Sequence, residues 1–255
     1  MGEFLKTLGG VALVSFLTSY SAVFAGKMEA LKGSNWYLGA LGSAFWASVP
    51  ERVSVYNGAP SPYHYDYYSL TDNAGGAVGL TLGSEWRAHR YWVPTAALGL
   101  QYEHFFPSTI KGTITQYTLP QFANYSHSWE TSADLLSLYT KLTLVAYHSL
   151  SPFINVGIGW AMNRTRATYE TAFPGILARN SPGFGTHTQN DLAYNFGLGV
   201  DYALAKLWSV SLAYNYQYLG SFRSSNGVAG WSENYLHIKN YKINRLNAGI
   251  TYHFG

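Results

Sequence analysis

The side chains that could do chemistry are few and lie far apart in the chain. An acyl-transfer site needs a serine, a histidine and an acid within hydrogen-bonding reach of one another. His148-Ser149 supplies two of these groups, but it falls in a predicted turn. His104 follows Glu103, yet neighbouring residues of a strand point to opposite faces, and no nearby serine completes a triad. We therefore expect no enzyme.

Other kinds of site are disfavoured in the same way. Asp66 and Asp72 lie in a predicted loop without the paired histidine of a protease-type site, and the eight histidines show no short spacing typical of metal ligands. Gly157-x-Gly159 and Gly197-x-Gly199 lie inside predicted strands with no helix after them, so they are not nucleotide-binding loops. A net charge of +3 is too small to favour a nucleic-acid partner. The sequence predicts no cofactor, no metal and no nucleic acid.

The elements that must position these side chains are predicted to be strands. In the last stretch, Tyr241–Gly255, apolar residues recur at every second position from Leu246 to Phe254. A period of two predicts a β-strand with two unlike faces. Seven earlier segments alternate in the same way: Asn35–Ala47, Asn73–Ser84, Val93–Phe106, Thr131–Ala146, Pro152–Asn163, Gln189–Leu204 and the segment from Trp208 to Tyr218. We expect an all-β fold with eight antiparallel strands.

The connections between these strands are alternately short and long. The long connections are residues 48–72, 107–130, 164–188 and 223–240. Short periplasmic turns and long extracellular loops are typical of a transmembrane up-and-down β-barrel. Closure of eight strands into a ring also leaves no unpaired edge, which lipid would penalise.

Side-chain volume indicates which face of each strand looks inward. An eight-stranded barrel has an interior only wide enough for side chains to fill. The large faces of the last three strands carry too many Leu, Tyr, Phe and Trp residues to fit there, whereas the opposite faces are rich in Gly, Ala, Ser and Asn. The large faces therefore point outward, toward lipid.

The composition agrees with this orientation. Only 11% of the residues are charged, whereas the chain contains 22 Tyr and 8 Trp. No segment after the N-terminus holds eighteen consecutive apolar residues, so the sequence predicts no transmembrane helix. A soluble Gly- and Tyr-rich β-protein is the alternative on composition alone. A lipocalin-like barrel, charged outside and apolar inside, would need outward charges that these strands lack.

The N-terminal residues predict an export signal. Lys6 precedes an apolar segment, Leu8–Tyr20, and small residues at Val23 and Ala25 suit cleavage before Gly26. A buried first helix is the alternative. We expect a signal peptide at residues 1–25, a short periplasmic lead at 26–33 and a barrel domain at 34–255.

The whole pattern resembles the small outer-membrane β-barrel family of Gram-negative bacteria, which includes the membrane domain of OmpA-like proteins, OmpX/Ail-type barrels and opacity-type porins. The resemblance is most specific at Gln189–Tyr218 and Asn247–Phe254. It implies contact with outer-membrane lipid and lipopolysaccharide. It also implies that Tyr252 and Phe254 form a terminal signal for the barrel assembly machinery, although Gly255 follows them here.

Five charged residues are predicted to face the barrel lumen: Glu85, Glu103, Lys141, Asp201 and Arg245. Ions inside a narrow barrel must be paired or hydrated, because isolated burial is costly. Strand direction predicts that Glu103 and Arg245 lie toward the outer half and the other three toward the periplasmic half. They either gate a narrow ion path or provide the polar filling that a small barrel needs.

Two main functions follow from the sequence. The first is a structural or narrow porin-like role at the bacterial surface. The second is an adhesin that binds host or matrix molecules through its loops. Four tyrosines close together in the first long loop, Tyr63, Tyr65, Tyr67 and Tyr68, suggest such a contact surface with a host ligand, or else an extension of the aromatic girdle. A lipid-modifying enzyme is a third and weaker alternative.

Overall fold

The computed structural model describes residues 34–87, 95–145, 148–181, 183–228 and 234–254. The predicted signal peptide, its cleavage point between Ala25 and Gly26 and the predicted lead lie outside the described residues. Within the described residues, no helix is long and apolar enough to cross a membrane.

The described chain is almost entirely β-structure. The strands are β1 (Ser34–Ser48), β2 (Arg52–Tyr56), β3 (Tyr65–Ser69), β4 (Asn73–Arg87), β5 (Thr95–Thr115), β6 (Ala123–Thr143), β7 (Leu150–Thr165), β8 (Tyr169–Ala172), β9 (His187–Ala205), β10 (Trp208–Arg223) and β11 (His237–His253). Two short 3-10 turns, Gln116–Thr118 and Pro120–Phe122, connect β5 to β6.

Eight of these strands form a closed ring. Each of β1, β4, β5, β6, β7, β9, β10 and β11 pairs antiparallel with the next in that order. The ring closes between the first and the last strand, where Leu38 lies opposite Tyr252 and Ala40 opposite Ile250. The predicted eight-stranded up-and-down barrel is confirmed.

The two faces of the ring differ as predicted. Leu80, Leu82 and Trp160 are 58%, 52% and 69% exposed on the outer face. Gly83 and Gly99 lie opposite each other on the inner face, beneath the phenol of Tyr37. A Cβ on Gly83 would lie 2.3 Å from the carbonyl oxygen of Leu98 and 2.7 Å from the Tyr37 hydroxyl, so a larger side chain cannot fit there. Tyr37 fills the space that the glycines leave.

The second long connection departs from the prediction. Residues 107–130 are mostly strand, because β5 and β6 continue pairing beyond the membrane barrel, with Lys111 opposite Ser128 and Ile114 opposite Tyr125. A register shift between Phe105 and Ser108 marks a β-bulge at this point. The bulge changes which residues of β5 point inward. Before it the buried residues are odd-numbered, as Phe105 is, and after it they are even-numbered, as Ile110 is. Beyond it, apolar residues point inward.

The extracellular connections build a second tier above the barrel, here called the head (the described parts of 49–72, 107–130, 166–186 and 221–241). The β2–β3 hairpin joins the end of β5, and β8 joins the start of β6. Apolar side chains fill the head and form one continuous cluster with those at the top of the barrel. The fully or almost fully buried ones are Tyr68, Ile110, Ile114, Trp129, Phe184, Phe222, Leu236 and Ile238. The predicted long loops are therefore partly folded into strands.

We predict that Trp129→Ala destabilises the head and leaves the barrel closed. Trp129 is fully buried, and truncation of a buried Trp costs about 3–5 kcal/mol. Limited proteolysis of the refolded protein should cut the variant faster within the extracellular segments, while the gel-mobility shift of the unboiled barrel persists. Trp160→Ala, on the lipid-facing wall, is the matched control. Cleavage of Trp129→Ala at the wild-type rate would contradict a role of Trp129 in stabilising the head.

Candidate functional site

Charged side chains cross the inside of the barrel in pairs. Arg245 on β11 donates a hydrogen bond to Glu103 on β5, and both side chains are almost completely buried. These two strands are not neighbours in the ring, because β4 and β1 lie between them. Lys141 Nζ lies 2.8 Å from Asp201 Oδ2, and this pair is also largely buried. The Arg245–Glu103 pair is therefore a strut across the lumen, whereas the Lys141–Asp201 pair spans a single intervening strand, β7.

The fifth predicted lumen charge has a different partner. Glu85 is buried, and its Oε2 lies 3.0 Å from His253 Nδ1, with which it forms an ion pair when the imidazole is protonated. The structure places all five predicted charges inside the barrel. Four of them form the pairs Arg245–Glu103 and Lys141–Asp201. The fifth, Glu85, faces His253, which the sequence analysis did not single out.

Two small polar cavities lie among the described residues of the lumen. One, of about 180 Å³, is lined by Glu85, Lys141, Asp201 and His253, together with residues Ala205 and Lys206 of the short turn after β9. The other, of about 60 Å³, is lined by Tyr37, Gln101 and Tyr139, and it also touches Lys141. The first cavity marks the periplasmic mouth, and the second lies deeper in the barrel.

An apolar layer lies between the lumen and the head. Phe45 and Phe105 meet edge to face with ring centroids 5.8 Å apart, and Arg245 lies 5.7 Å from the centre of the Phe105 ring. Leu219 and Phe222 are both 2% exposed beside them, and the space among these residues is only about 10 Å³. This layer obstructs the path between the periplasmic mouth and the cell exterior.

A polar cluster lies on the outer wall of the barrel, where β5 pairs with β6. Asp134 Oδ1 accepts a hydrogen bond from the Tyr102 hydroxyl at 2.7 Å and lies 2.8 Å from His104 Nδ1. Its Oδ2 lies 2.9 Å from Arg164 Nη1. The sequence analysis missed Asp134 because this residue lies on the strand next to that of His104. A single carboxylate on a lipid-facing strand was the signal that could have identified it.

An arginine fastens three extracellular segments together in the head. Arg179 donates to Glu170 and lies 3.5 Å from Asp66 Oδ2, and its guanidinium stacks 4.3 Å from the centre of the Tyr125 ring. The Tyr68 hydroxyl donates to Glu170 at 2.8 Å. Burial, followed by the charge of Glu170, raises the pKa of Tyr68 well above its usual value, so the phenol stays protonated. Asp66 is thus a buried structural acid.

The four tyrosines of the first loop do not share one surface. Tyr63 and Tyr65 are 47% and 40% exposed. Tyr67 is half-buried, with the guanidinium of Arg52 at 4.6 Å from its ring centre, and Tyr68 is fully buried. Alternation along β3 separates Tyr67 from Tyr68, since successive side chains point to opposite faces.

Of the two exposed tyrosines, Tyr65 has a partner on the opposite strand. Tyr56 pairs with Tyr65 across the β2–β3 hairpin, and their ring centroids are 6.1 Å apart. His64 lies 4.4 Å from Tyr65 and 6.0 Å from Tyr56, measured between ring centroids. Tyr56, Tyr63, His64 and Tyr65 are called the aromatic patch below. The sequence analysis missed Tyr56 because the loop was not expected to form a hairpin.

The terminal aromatics lie at the periplasmic end of the closing strand. Tyr252 stacks against Trp208 at 4.9 Å between centroids, and Phe254 is 45% exposed. The Phe254 amide donates to the carbonyl of Trp36 at 2.8 Å, which continues the pairing with β1. In the described part of the chain, no cluster of three His, Asp or Glu side chains is arranged to hold a metal ion.

The family of the chain follows from its sequence match. Residues 12–254 match the outer membrane protein beta-barrel domain, and the chain belongs to this family. It is an outer-membrane β-barrel protein, and its apolar outer face contacts the lipid and lipopolysaccharide of that membrane. No curated protein sequence matches the chain.

Similar solved structures are also barrels of this kind. Neisserial surface protein A is 11% identical, with 87% of this chain and 99% of that chain covered and a TM-score of 0.45. OprG from Pseudomonas aeruginosa is 14% identical, with 86% and 96% covered and a TM-score of 0.48. Ail of Yersinia pestis, solved with the heparin analogue sucrose octasulfate, is 9% identical, with 86% and 99% covered and a TM-score of 0.37.

We predict that Arg245→Ala strongly destabilises the barrel. The substitution leaves the Glu103 carboxylate buried without its cation, and breaking a buried pair in this way costs about 3–5 kcal/mol. The midpoint of urea unfolding of the refolded protein measures the effect. The double variant Glu103→Gln/Arg245→Gln removes both charges and should lose less stability. A single variant as stable as the double variant would contradict the role of the pair as a strut.

Proposed function

We propose that the protein is a closed barrel that presents its head as a binding surface for host-cell or matrix molecules. The observation that carries this proposal is the aromatic patch, in which Tyr56, Tyr63 and Tyr65 are 44%, 47% and 40% exposed on a hairpin above the membrane. Tyrosine rings offer large, rigid and amphipathic contact area at a low cost in conformational entropy. The patch is therefore suited to adhesion.

The surroundings of the patch support the same function. The β2–β3 hairpin is paired to β5 through Tyr67 and Tyr68, opposite Thr115 and Ile114. At its turn, the Asn57 side chain donates to the Tyr63 carbonyl at 3.0 Å and to Asp66 Oδ1 at 2.8 Å. These bonds, together with the Arg179 contacts, fix the hairpin before any ligand arrives. A preorganised surface loses less entropy on binding than a mobile loop does.

A second candidate function is the narrow ion path of the sequence analysis. The two polar cavities favour it, because both touch Lys141 and together they extend from the periplasmic mouth into the lumen. Ions would still have to pass the Arg245–Glu103 pair and the apolar layer. Such passage requires displacement of a buried ion pair, which is costly, so we rank this function second.

Assembly of the barrel is a separate proposal. We propose that the barrel assembly machinery recognises Tyr252 and Phe254 at the end of β11. The exposed ring of Phe254 and its position beside the seam with β1 support this assignment.

We predict that Tyr63→Ala/Tyr65→Ala reduces adhesion of expressing cells to host-cell or matrix-coated surfaces at least about tenfold, which corresponds to a loss of 1.4 kcal/mol or more. Surface display, measured with an epitope tag, should not change, because both side chains are largely exposed. Tyr169→Ala is the matched control, since Tyr169 is 59% exposed on β8, away from the patch. Equal adhesion of all three proteins would contradict the proposed binding role.

A further inference from the structure

Three side chains that are remote in sequence meet at the periplasmic mouth. Ser209 Oγ lies 2.9 Å from His253 Nε2. His253 Nδ1 in turn lies 3.0 Å from Glu85 Oε2. The three residues belong to β10, β11 and β4, and all three face the lumen. A hydroxyl, an imidazole and a carboxylate thus lie side by side in the order that nucleophilic catalysis requires. Ser209 and His253 are hydrogen-bonded, whereas Glu85 lies at ion-pair distance from Nδ1 without hydrogen-bond geometry.

The barrel itself fixes this arrangement. Ser209 pairs with Thr251, two residues before His253, and His253 pairs with Tyr37 on β1. Glu85 lies opposite Asn35, at the neighbouring same-face position of β1. Each backbone is held by ladder hydrogen bonds on both sides, so the three side chains project from a rigid wall. Sites built on strands hold their geometry more closely than sites built on loops.

The contacts suit the two ring nitrogens to different roles. The carboxylate beside Nδ1 stabilises the imidazolium that forms when Nε2 accepts a proton. For catalysis, Nε2 must be the acceptor that faces the Ser209 hydroxyl. Glu85 is 6% exposed and Ser209 9% exposed, so both are shielded while they line a cavity. Partial exclusion of water strengthens each of these electrostatic contacts.

The cavity beside the serine indicates the kind of substrate. Its volume of about 180 Å³ is below the roughly 300–1,000 Å³ that is typical of sites for drug-sized ligands. It therefore suits a small acyl group rather than a whole lipid. Lys206 lines the same cavity, and its positive charge favours the negative oxygen that develops during acyl transfer, whereas Lys141 is already paired with Asp201.

We propose that Ser209, His253 and Glu85 form a serine nucleophile site that hydrolyses small carboxylic esters entering from the periplasm. Ser209 Oγ attacks the ester carbonyl as its proton moves to His253 Nε2. The tetrahedral intermediate collapses, the bond to the alcohol oxygen breaks, and His253 returns the proton to that leaving alkoxide. Water then attacks the acyl-serine, gives a proton to His253 and releases the carboxylic acid, while Ser209 regains its proton.

This activity is independent of the binding role of the head, because its residues lie at the opposite end of the barrel. Glu85 is a positioning residue in the proposed site, since it acts on the substrate only through His253. Ser211 provides a matched serine control: it follows on the same face of β10 and lines the deeper cavity instead.

The test is labelling of the refolded full barrel with a small alkyl fluorophosphonate, followed by peptide mass analysis and by hydrolysis of p-nitrophenyl acetate. The wild type and Ser211→Ala should take up one label per chain, on Ser209. Ser209→Ala should take up none, and His253→Gln should label at least about a hundredfold more slowly, as expected for loss of a general base. Retention of the unboiled gel-mobility shift confirms that each variant is folded.

A folded wild type that resists labelling, or a label that persists in Ser209→Ala, would overturn the proposal. Two variants of Glu85 test its role separately. Glu85→Gln should slow labelling, because the imidazolium that forms as Ser209 reacts loses the neighbouring negative charge, and Glu85→Asp, which keeps that charge, should restore part of the rate. Equal rates in the two variants would overturn the positioning role of Glu85.

Discussion

The pairing of β1 with β11 is the constraint on which the rest of the structure depends. A backbone in lipid has no water to satisfy its amide and carbonyl groups, so strands can span a membrane only when the ring is closed. The seam from Tyr37–His253 to Ser48–Lys242 completes that ring. With eight strands, closure also sets a narrow interior, and the small lumen-facing residues and buried ion pairs are consequences of that width.

Above the membrane the same strands are surrounded by a different solvent. Water replaces lipid around them, so apolar side chains must point inward rather than outward. The bulge after Phe105 exchanges the two faces of β5 at this level and brings Ile110 and Ile114 into the core of the head. The barrel thus has a polar interior with an apolar exterior, and the head has the reverse.

The strands of the barrel could be predicted because alternation leaves a clear mark on the sequence. The alternation of Ile250, Tyr252 and Phe254 with smaller residues shows that the last strand has two unlike faces. Side-chain volume then indicates which of the two faces meets lipid. The extension of β5 could not be read in this way, because the bulge breaks the period at Pro107 and polar residues such as Lys111 suggest a loop. The prediction of a long loop at 107–130 was therefore wrong, while the ring itself was correct.

The site was predicted only in part, for a related reason. Alternation identifies the lumen face, and so it selected Glu85, Glu103, Lys141, Asp201 and Arg245. Strand direction added their approximate height, but neither signal gives the side chains that meet across the ring, because these contacts depend on the register of every pair. The contact of His253 with Ser209 and Glu85, and that of Asp134 with His104, arise from register and remained hidden.

Single-channel conductance of the refolded protein in a planar bilayer tests the central claim most directly, namely that the lumen is closed and that the head carries the surface function. A folded barrel that inserts and stays electrically silent is the result we predict, because the Arg245–Glu103 strut and the apolar layer fill the interior. Discrete, reproducible openings would contradict the account and favour a narrow ion path.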